Sequence, residues 1–153
     1  MFRHQGTLDK YLGDGLMATF GSLQVEGDAP ARAIACAFEL HAEIERWSAK
    51  RAARHAERLA VAIGVHFGPV VVGNLGSEQR LEFTVVGDVV NVASRLEEAT
   101  RELGCMIAVS DACVRAAGPA RQSEGFEKVV EVRLRGRASP LLVHVAGCVD
   151  VPR

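Results

Sequence analysis

The sequence lacks the features that mark membrane, secreted and nucleic-acid-binding proteins. It has no apolar run near the ~20 residues of a membrane span, and its opening, MFRHQGTLDK, has no signal-peptide core. Its formal net charge of −1 gives no electrostatic reason to bind nucleic acid or an acidic membrane surface. We therefore expect a cytoplasmic protein with no membrane segment in this chain and no nucleic-acid partner.

The cysteines and histidines lack the spacing of a metal site. No CxxC pair occurs among the four cysteines, which argues against a zinc site and against a disulfide-stapled secreted scaffold. The histidines show no ligand spacing either. Reduced thiols packed inside a cytoplasmic protein fit the cysteines best. The residues concerned are Cys36, Cys105, Cys113, Cys148, His4, His41, His55, His66 and His144.

What the sequence does contain is enough apolar material for one core. At 153 residues and 48% hydrophobic, the chain predicts a single domain, 1–153, without internal repeats or linkers. Its patterns run β-hairpin, helix, β-hairpin, helix, strand, small helix, β-hairpin. That order predicts an α+β fold of the ferredoxin-like type, a mixed sheet with helices packed on one face.

Local signals predict where these elements begin and end. Gly13-Asp14-Gly15 separates two short apolar runs and predicts the first hairpin. Asp28 is suited to cap the long helix, Asp88 the second, and Ser110 or Asp111 the third, with Gly104 ending the second. The long helix is expected to bury a stripe of Ala33, Ile34, Ala37, Phe38, Leu40, Ile44 and Trp47.

Strand RLEFTVVG alternates in a way that predicts two faces. Leu81, Phe83 and Val85 are expected to point into the core, and Glu82 and Thr84 away from it.

Five polar residues do not belong to this scaffold: Lys10, Asp14, Thr84, Asn91 and Arg95. Most have an ordinary structural explanation, since Asp14 suits a turn, Thr84 suits a strand and Arg95 can pair with Glu98. Asn91 is harder to explain, because an amide in the first helical turn competes with the backbone. Arg95 follows four residues later, so both side chains project from one helix face.

Taken together, these residues resemble a known family. LDKYLGDGLMATFG, IGVHFGPVVVGNLGSEQRLEFTVVGDVVNVASRLEEAT and VRLRGRASPLLVHV are similar to the class III nucleotidyl cyclase catalytic domain, with its KxxGD and TVxGxxVNxAxR signatures. The Lys-Thr combination is most like the bacterial adenylate cyclase branch. The resemblance implies conversion of ATP to 3′,5′-cyclic AMP and pyrophosphate in intracellular signalling.

The resemblance also implies a role for each residue. Asp14 corresponds to one of two aspartates that hold two Mg²⁺ or Mn²⁺ ions, and Arg95 to an arginine that neutralises charge on the transition state. Asn91 corresponds to the residue that orients the ribose. Lys10 and Thr84 correspond to the pair that reads the base, Lys10 donating to adenine N1 and Thr84 accepting from N6.

In the resembled family the site lies between the subunits of a head-to-tail homodimer. A strand with the first metal aspartate also precedes the KxxGD hairpin there, whereas this sequence begins at MFRHQGTLDK. An expressed fragment, a misplaced start and a natural fragment that pairs with another chain would each explain the difference. We expect this chain alone to have little cyclase activity, and its free strand edge to be filled by self-association or strand exchange.

Two other functions stay open. The first is a non-catalytic cyclase-like module that binds nucleotide or a partner chain and regulates it, which the lost aspartate favours. The second is a guanylate cyclase, which Lys10 argues against because that branch places a carboxylate there.

Overall fold

The computed structural model describes residues 1–22, 27–77, 80–121 and 125–148. Their order of strands and helices confirms the predicted α+β arrangement. The elements are β1 (Thr7–Leu12), β2 (Gly15–Thr19), α1 (Ala29–Ala52), β3 (Ile63–Val65), β4 (Val71–Ser77), β5 (Arg80–Val86), α2 (Asp88–Leu103), β6 (Ile107–Ser110), α3 (Asp111–Ala116), β7 (Lys128–Val132) and β8 (Leu141–Ala146).

The strands form one mixed sheet and two hairpins. The four-stranded sheet has the order β3-β6-β8-β7, with β3 parallel to β6 and the other neighbours antiparallel. Strands β1 and β2 pair with each other, as do β4 and β5. The two hairpins carry Lys10, Asp14 and Thr84, so they hold three of the five residues singled out from the sequence.

The helices cover both faces of the four-stranded sheet. Ile107 and Val109 of β6 pack in one buried cluster with α1 and α3, whereas Ala108 packs in another with α2. Because successive strand residues point to opposite faces, α2 must lie on the face opposite α1 and α3. The expectation that all helices share one face is therefore wrong.

Helix α2 approaches β3 at backbone contact distance. A β-carbon built on Gly64 would lie 2.2 Å from the carbonyl oxygen of Ala93 and 2.4 Å from the amide nitrogen of Glu97. Only glycine leaves room for such an approach. Gly64 therefore sets the distance between the sheet and the helix that carries Asn91 and Arg95.

The helix starts agree with the sequence at two of three positions. Asp28 caps α1 by accepting from Ala31 N–H at 3.2 Å, and Ser110 caps α3 by accepting from Cys113 N–H at 3.3 Å. The predicted Asp88 cap is wrong, because Gly87 is the N-cap of α2 and makes no side-chain capping bond. Asp88 lies in the first turn, where its carboxylate pairs with Arg137 instead.

Helix α1 buries less of its length than its apolar stripe predicts. Ile34 and Ala37 are buried as expected, but Leu40 is 40% exposed and Trp47 is 53% exposed. The core contacts of α1 come from its first half, because its second half continues past the buried clusters.

Among the described residues, no helix is both long enough and apolar enough to cross a bilayer. All four cysteines are free thiols, as expected.

Candidate nucleotide site

The β1–β2 hairpin presents Asp14 to solvent at its tip. Leu12 pairs with Gly15, so the loop consists of Gly13 and Asp14, one residue earlier than an Asp-Gly turn would place it. Gly13 has φ 65°, a conformation that glycine adopts without strain. The Asp14 side chain is therefore exposed on a tight, well-defined turn.

A β-bulge re-aims the residues around Lys10. Leu8 pairs with Ala18 and Lys10 with Met17, so Asp9 is an extra residue on β1. Such bulges change which way neighbouring side chains point. The Asp9 side chain is only 6% exposed, and its Oδ2 lies 3.6 Å from Lys10 Nζ.

Asp9 joins the first hairpin to β5. Thr84 donates from Oγ1 to Asp9 Oδ2 at 2.7 Å, and Val85 N–H donates to Asp9 Oδ1 at 3.3 Å. The resemblance assigns Lys10 and Thr84 to the pair that reads the base. In the structure, both are neighbours of one buried carboxylate. Sequence reasoning missed Asp9, which is adjacent to Lys10 but has no place in the motif.

The predicted facing of β5 is wrong at two residues. Thr84 is buried, at 6% exposure, whereas Phe83 is 57% exposed. Thr84 is buried because Asp9 of the neighbouring hairpin covers it, a contact between residues 75 positions apart in the chain. Leu81 and Glu82 side chains lie outside the described part of the structure.

Helix α2 carries the other two residues. Asn91 is exposed and Arg95 is half-buried one turn later. A β-carbon built on Gly136 would lie 3.6 Å from Arg95 Nη1, so the guanidinium lies against the loop between β7 and β8. The structure thus groups Lys10 with Thr84, and Asn91 with Arg95, while Asp14 lies on the hairpin tip.

A charged cluster surrounds the start of α2. Arg137 donates to Asp88 Oδ2 at 2.7 Å, and His66 Nδ1 lies 2.7 Å from Ser110 Oγ. Burial and, less strongly, the charge of Arg137 lower the pKa of His66, whereas Asp88 opposes them. His66 therefore stays neutral more readily than an exposed histidine. Neither His66 nor Arg137 was singled out from the sequence.

The cleft beside Asp9 is too small for a nucleotide within one chain. It measures about 40 Å³ and is lined by residues of both hairpins, Thr7, Leu8, Asp9, Thr19, Ser22, Val72, Phe83, Thr84 and Val85. Small-molecule sites usually measure ~300–1,000 Å³. A wider depression of about 360 Å³ lies beside Trp47, but all its walls come from α1, so it is only a helix surface.

Comparison with known proteins decides the family. The family model of the adenylate and guanylate cyclase catalytic domain matches residues 4–146. The chain belongs to this family. The match confirms the resemblance to the class III nucleotidyl cyclases and accounts for the combination of KxxGD hairpin, β5 and α2.

Individual cyclases agree with this assignment. The adenylate cyclase of Anabaena cylindrica is 36% identical over 114 residues, covering 72% of this chain and 22% of that protein. Adenylate cyclase 1 of Rhizobium meliloti (strain 1021) is 29% identical over 141 residues, covering 92% of this chain and 21% of that protein. The chain thus spans about a fifth of the length of these curated relatives.

A solved cyclase structure has the same fold. The crystal structure of the guanylyl cyclase Cya2 is 30% identical, with a TM-score of 0.79, and the match covers 97% of this chain and 74% of that chain. Relatives of this cyclase domain therefore include enzymes named for either nucleotide. The family alone does not choose between ATP and GTP.

The donor set of this cyclase domain does not assemble a metal site by itself. Within the ranges that the structure describes, no group of three or more His, Cys, Asp or Glu residues could hold a metal ion. Asp14 is a single exposed carboxylate, and Asp9 already accepts hydrogen bonds from Thr84 and Val85. Mg²⁺ is usually held by one or two carboxylates together with waters and substrate phosphates, so Asp14 would supply only part of such a site.

Proposed function

We propose that this chain is an adenylate cyclase catalytic domain, which converts ATP to 3′,5′-cyclic AMP and pyrophosphate. The observation that carries the proposal is the contact of Lys10 and Thr84 with one buried carboxylate, because it brings a cationic donor and a hydroxyl oxygen to one point. Adenine offers an acceptor at N1 and a donor at N6, whereas guanine offers the reverse. A lysine and an accepting hydroxyl match adenine.

Asn91 and Arg95 are proposed to act on the ribose and the phosphates. Both project from α2 one helical turn apart, Asn91 in solvent and Arg95 against the β7–β8 loop. An amide can bond a ribose hydroxyl and align the 3′-oxygen for attack on the α-phosphorus. A guanidinium can bind the phosphate oxygens in a bidentate way as charge develops on them.

The site is proposed to form between two copies of the chain. The cleft of about 40 Å³ beside Asp9 cannot hold a nucleotide, so further walls must come from elsewhere. The two hairpins also expose large apolar side chains, among them Tyr11 at 74%, Val71 at 66% and Phe83 at 57%. Exposed apolar residues of this size on adjacent hairpins favour an interface. In such a dimer Asp14 serves one site and Lys10 the other.

Asp14 is proposed as a ligand for Mg²⁺ or Mn²⁺. When bound, such ions would neutralise phosphate charge and activate the attacking hydroxyl. Among the described residues, Asp14 belongs to no group of three or more candidate metal ligands, so we expect the chain alone to turn over ATP slowly. Nucleotide binding is therefore the better first test.

The test is displacement of a fluorescent ATP analogue from the purified chain. We expect ATP to displace it at a concentration about tenfold or more below that of GTP. Adenine would form hydrogen bonds with Lys10 and Thr84, and guanine would lose them. Lys10→Ala and Thr84→Val should each remove most of this preference. Lys50→Ala, on an exposed part of α1, is the matched control and should keep it.

Equal displacement by ATP and GTP would contradict the adenine assignment, and tighter binding of GTP would favour a guanylate cyclase. Cyclic AMP measured by chromatography after long incubation with Mn²⁺ tests catalysis. Activity that disappears in Arg95→Ala supports the enzyme. Selective ATP binding without any product would instead favour the regulatory, non-catalytic module.

A further inference from the structure

Asp9 is a buried carboxylate that the proposed roles leave unused. Its side chain is 6% exposed, and it is the extra residue of the β1 bulge. Burying a carboxylate is costly unless each oxygen has partners. Here Oδ1 accepts from Val85 N–H at 3.3 Å, and Oδ2 accepts from the Thr84 hydroxyl at 2.7 Å and lies 3.6 Å from Lys10 Nζ.

The contact with Asp9 decides what the Thr84 hydroxyl can do next. A hydroxyl has one proton to donate and two lone pairs that accept. Asp9 Oδ1 accepts from Val85 N–H, and Asp9 Oδ2 lies 3.6 Å from Lys10 Nζ, so both carboxylate oxygens face donors. The Thr84 hydroxyl donates its only proton to Asp9 Oδ2 at 2.7 Å. Towards a ligand, the Thr84 oxygen is then only an acceptor.

We infer that Asp9 is a positioning residue that selects the purine by fixing the direction of the Thr84 hydroxyl. The inference rests on the proposed function and deepens it. A threonine alone is ambiguous, because its hydroxyl can rotate to accept from a 6-amino group or to donate to a 6-oxo group. With its proton donated to Asp9, the Thr84 oxygen can accept a hydrogen bond from a 6-aminopurine. It would repel a 6-oxopurine, because two acceptor oxygens would then face each other.

The experiment uses nucleotides that cannot react. 3′-Deoxy-ATP and 3′-deoxy-GTP lack the attacking hydroxyl, so their dissociation constants report binding alone, whatever the turnover of the chain. In Asp9→Asn the new amide can donate to Thr84 as well as accept, which frees the hydroxyl to reverse. We expect the GTP-to-ATP ratio of dissociation constants to fall about 5–10-fold, the size of one neutral hydrogen bond.

A double-mutant cycle separates direction-setting from general damage. Thr84→Val should lower the ratio by a similar factor, and Asp9→Asn should have no further effect in the Thr84→Val background. Thr84→Ser keeps a hydroxyl and should therefore keep the wild-type ratio of dissociation constants. Glu131→Gln, an equivalent carboxylate-to-amide change at an exposed position of β7, should leave it unchanged.

The outcomes distinguish this inference from the proposed function. A wild-type chain that binds both analogues equally overturns the adenine assignment and the inference with it. A wild-type preference that stays within twofold in Asp9→Asn overturns the inference alone. The same holds if the effects of Asp9→Asn and Thr84→Val on the ratio are additive.

Should Asp9→Asn fail to fold, nuclear magnetic resonance of the unliganded wild type decides the question. The Thr84 hydroxyl proton should exchange slowly and show a coupling to the Asp9 carboxylate carbon. A rapidly exchanging hydroxyl would overturn the inference.

Discussion

Replacing Gly64 by alanine should separate α2 from the sheet and weaken the fold. The added carbon would lie 2.2 Å from the Ala93 carbonyl oxygen and 2.4 Å from the Glu97 amide nitrogen, whereas real contacts of this kind essentially never fall below 3.0 Å. To lengthen the contact from 2.2 to 3.0 Å, helix α2 and strand β3 would have to move apart by about 0.8 Å. Both obstructing atoms belong to the helix backbone, so no side-chain rotation can relieve the overlap.

The magnitude follows from what overpacking costs. Extra carbons in a packed interior usually cost ~1–3 kcal/mol, and a clash with backbone should reach the upper end, about 3 kcal/mol. A domain of this size is stable by ~5–15 kcal/mol, so Gly64→Ala should still fold. Because α2 carries Arg95, the shift also reaches the proposed phosphate-binding group, and misplacements near 1 Å can cost ~100-fold in rate.

The assay is urea unfolding followed by far-ultraviolet circular dichroism. With a slope of ~1–3 kcal/mol/M, a loss of about 3 kcal/mol moves the midpoint by ~1–3 M. Gly73→Ala is the matched control, since it lies in a strand with no heavy atom within 4 Å of the added carbon. Its change should be below ~1 kcal/mol and of stabilising sign. Equal unfolding free energies for Gly64→Ala and wild type would refute the contact argument.

Three further predictions concern titration and reactivity. Burial, then Arg137, lowers the pKa of His66 below 6.5, so the unfolded chain takes up this proton more readily and the melting temperature should fall as pH drops from 7 through 6.5. His66→Gln should lose that decrease, and an unchanged profile would contradict it. The hydrogen bond from His144 lowers the pKa of Asp111 below 3.8, so its stabilisation is complete above that value and lost at more acid pH. Asp111→Asn should flatten this acid limb in unfolding measurements, and a limb of equal steepness would count against the pair. Burial raises the pKa of Cys113 to about 12, so iodoacetamide at pH 8 should modify it only after denaturation, and rapid labelling of native protein would show otherwise.

Local patterns predicted the elements because their causes lie within a few residues. Asp28 caps α1 through a bond to a residue three positions away. The contacts that sequence reasoning missed join distant residues: Thr84 with Asp9 across 75 positions, and Arg137 with Asp88 across 49. The prediction that Thr84 is not buried failed for the same reason, because the neighbouring hairpin, and not β5 itself, decides which side is covered.

The candidate site divides in the same way. The motif found Lys10, Thr84, Asn91 and Arg95 by residue type, and the structure brings the first two to one carboxylate. Nothing in the motif predicted Asp9, because its role depends on a strand irregularity that shifts pairing between Leu8 and Lys10. Residue type predicts chemistry here, but strand pairing decides which atoms meet.

With Lys10 in its proposed base-reading role, the extra residue in β1 makes strand length part of substrate choice. Leu8 and Lys10 pair with Ala18 and Met17, which point to opposite sides of β2, although two residues so spaced in a regular strand would share a side. Deleting one residue here would turn either the lysine or the segment before it to the other side. Among related cyclases, a one-residue gap at this strand would therefore signal a changed geometry at the proposed base-reading pair, even where the lysine and the threonine are both retained.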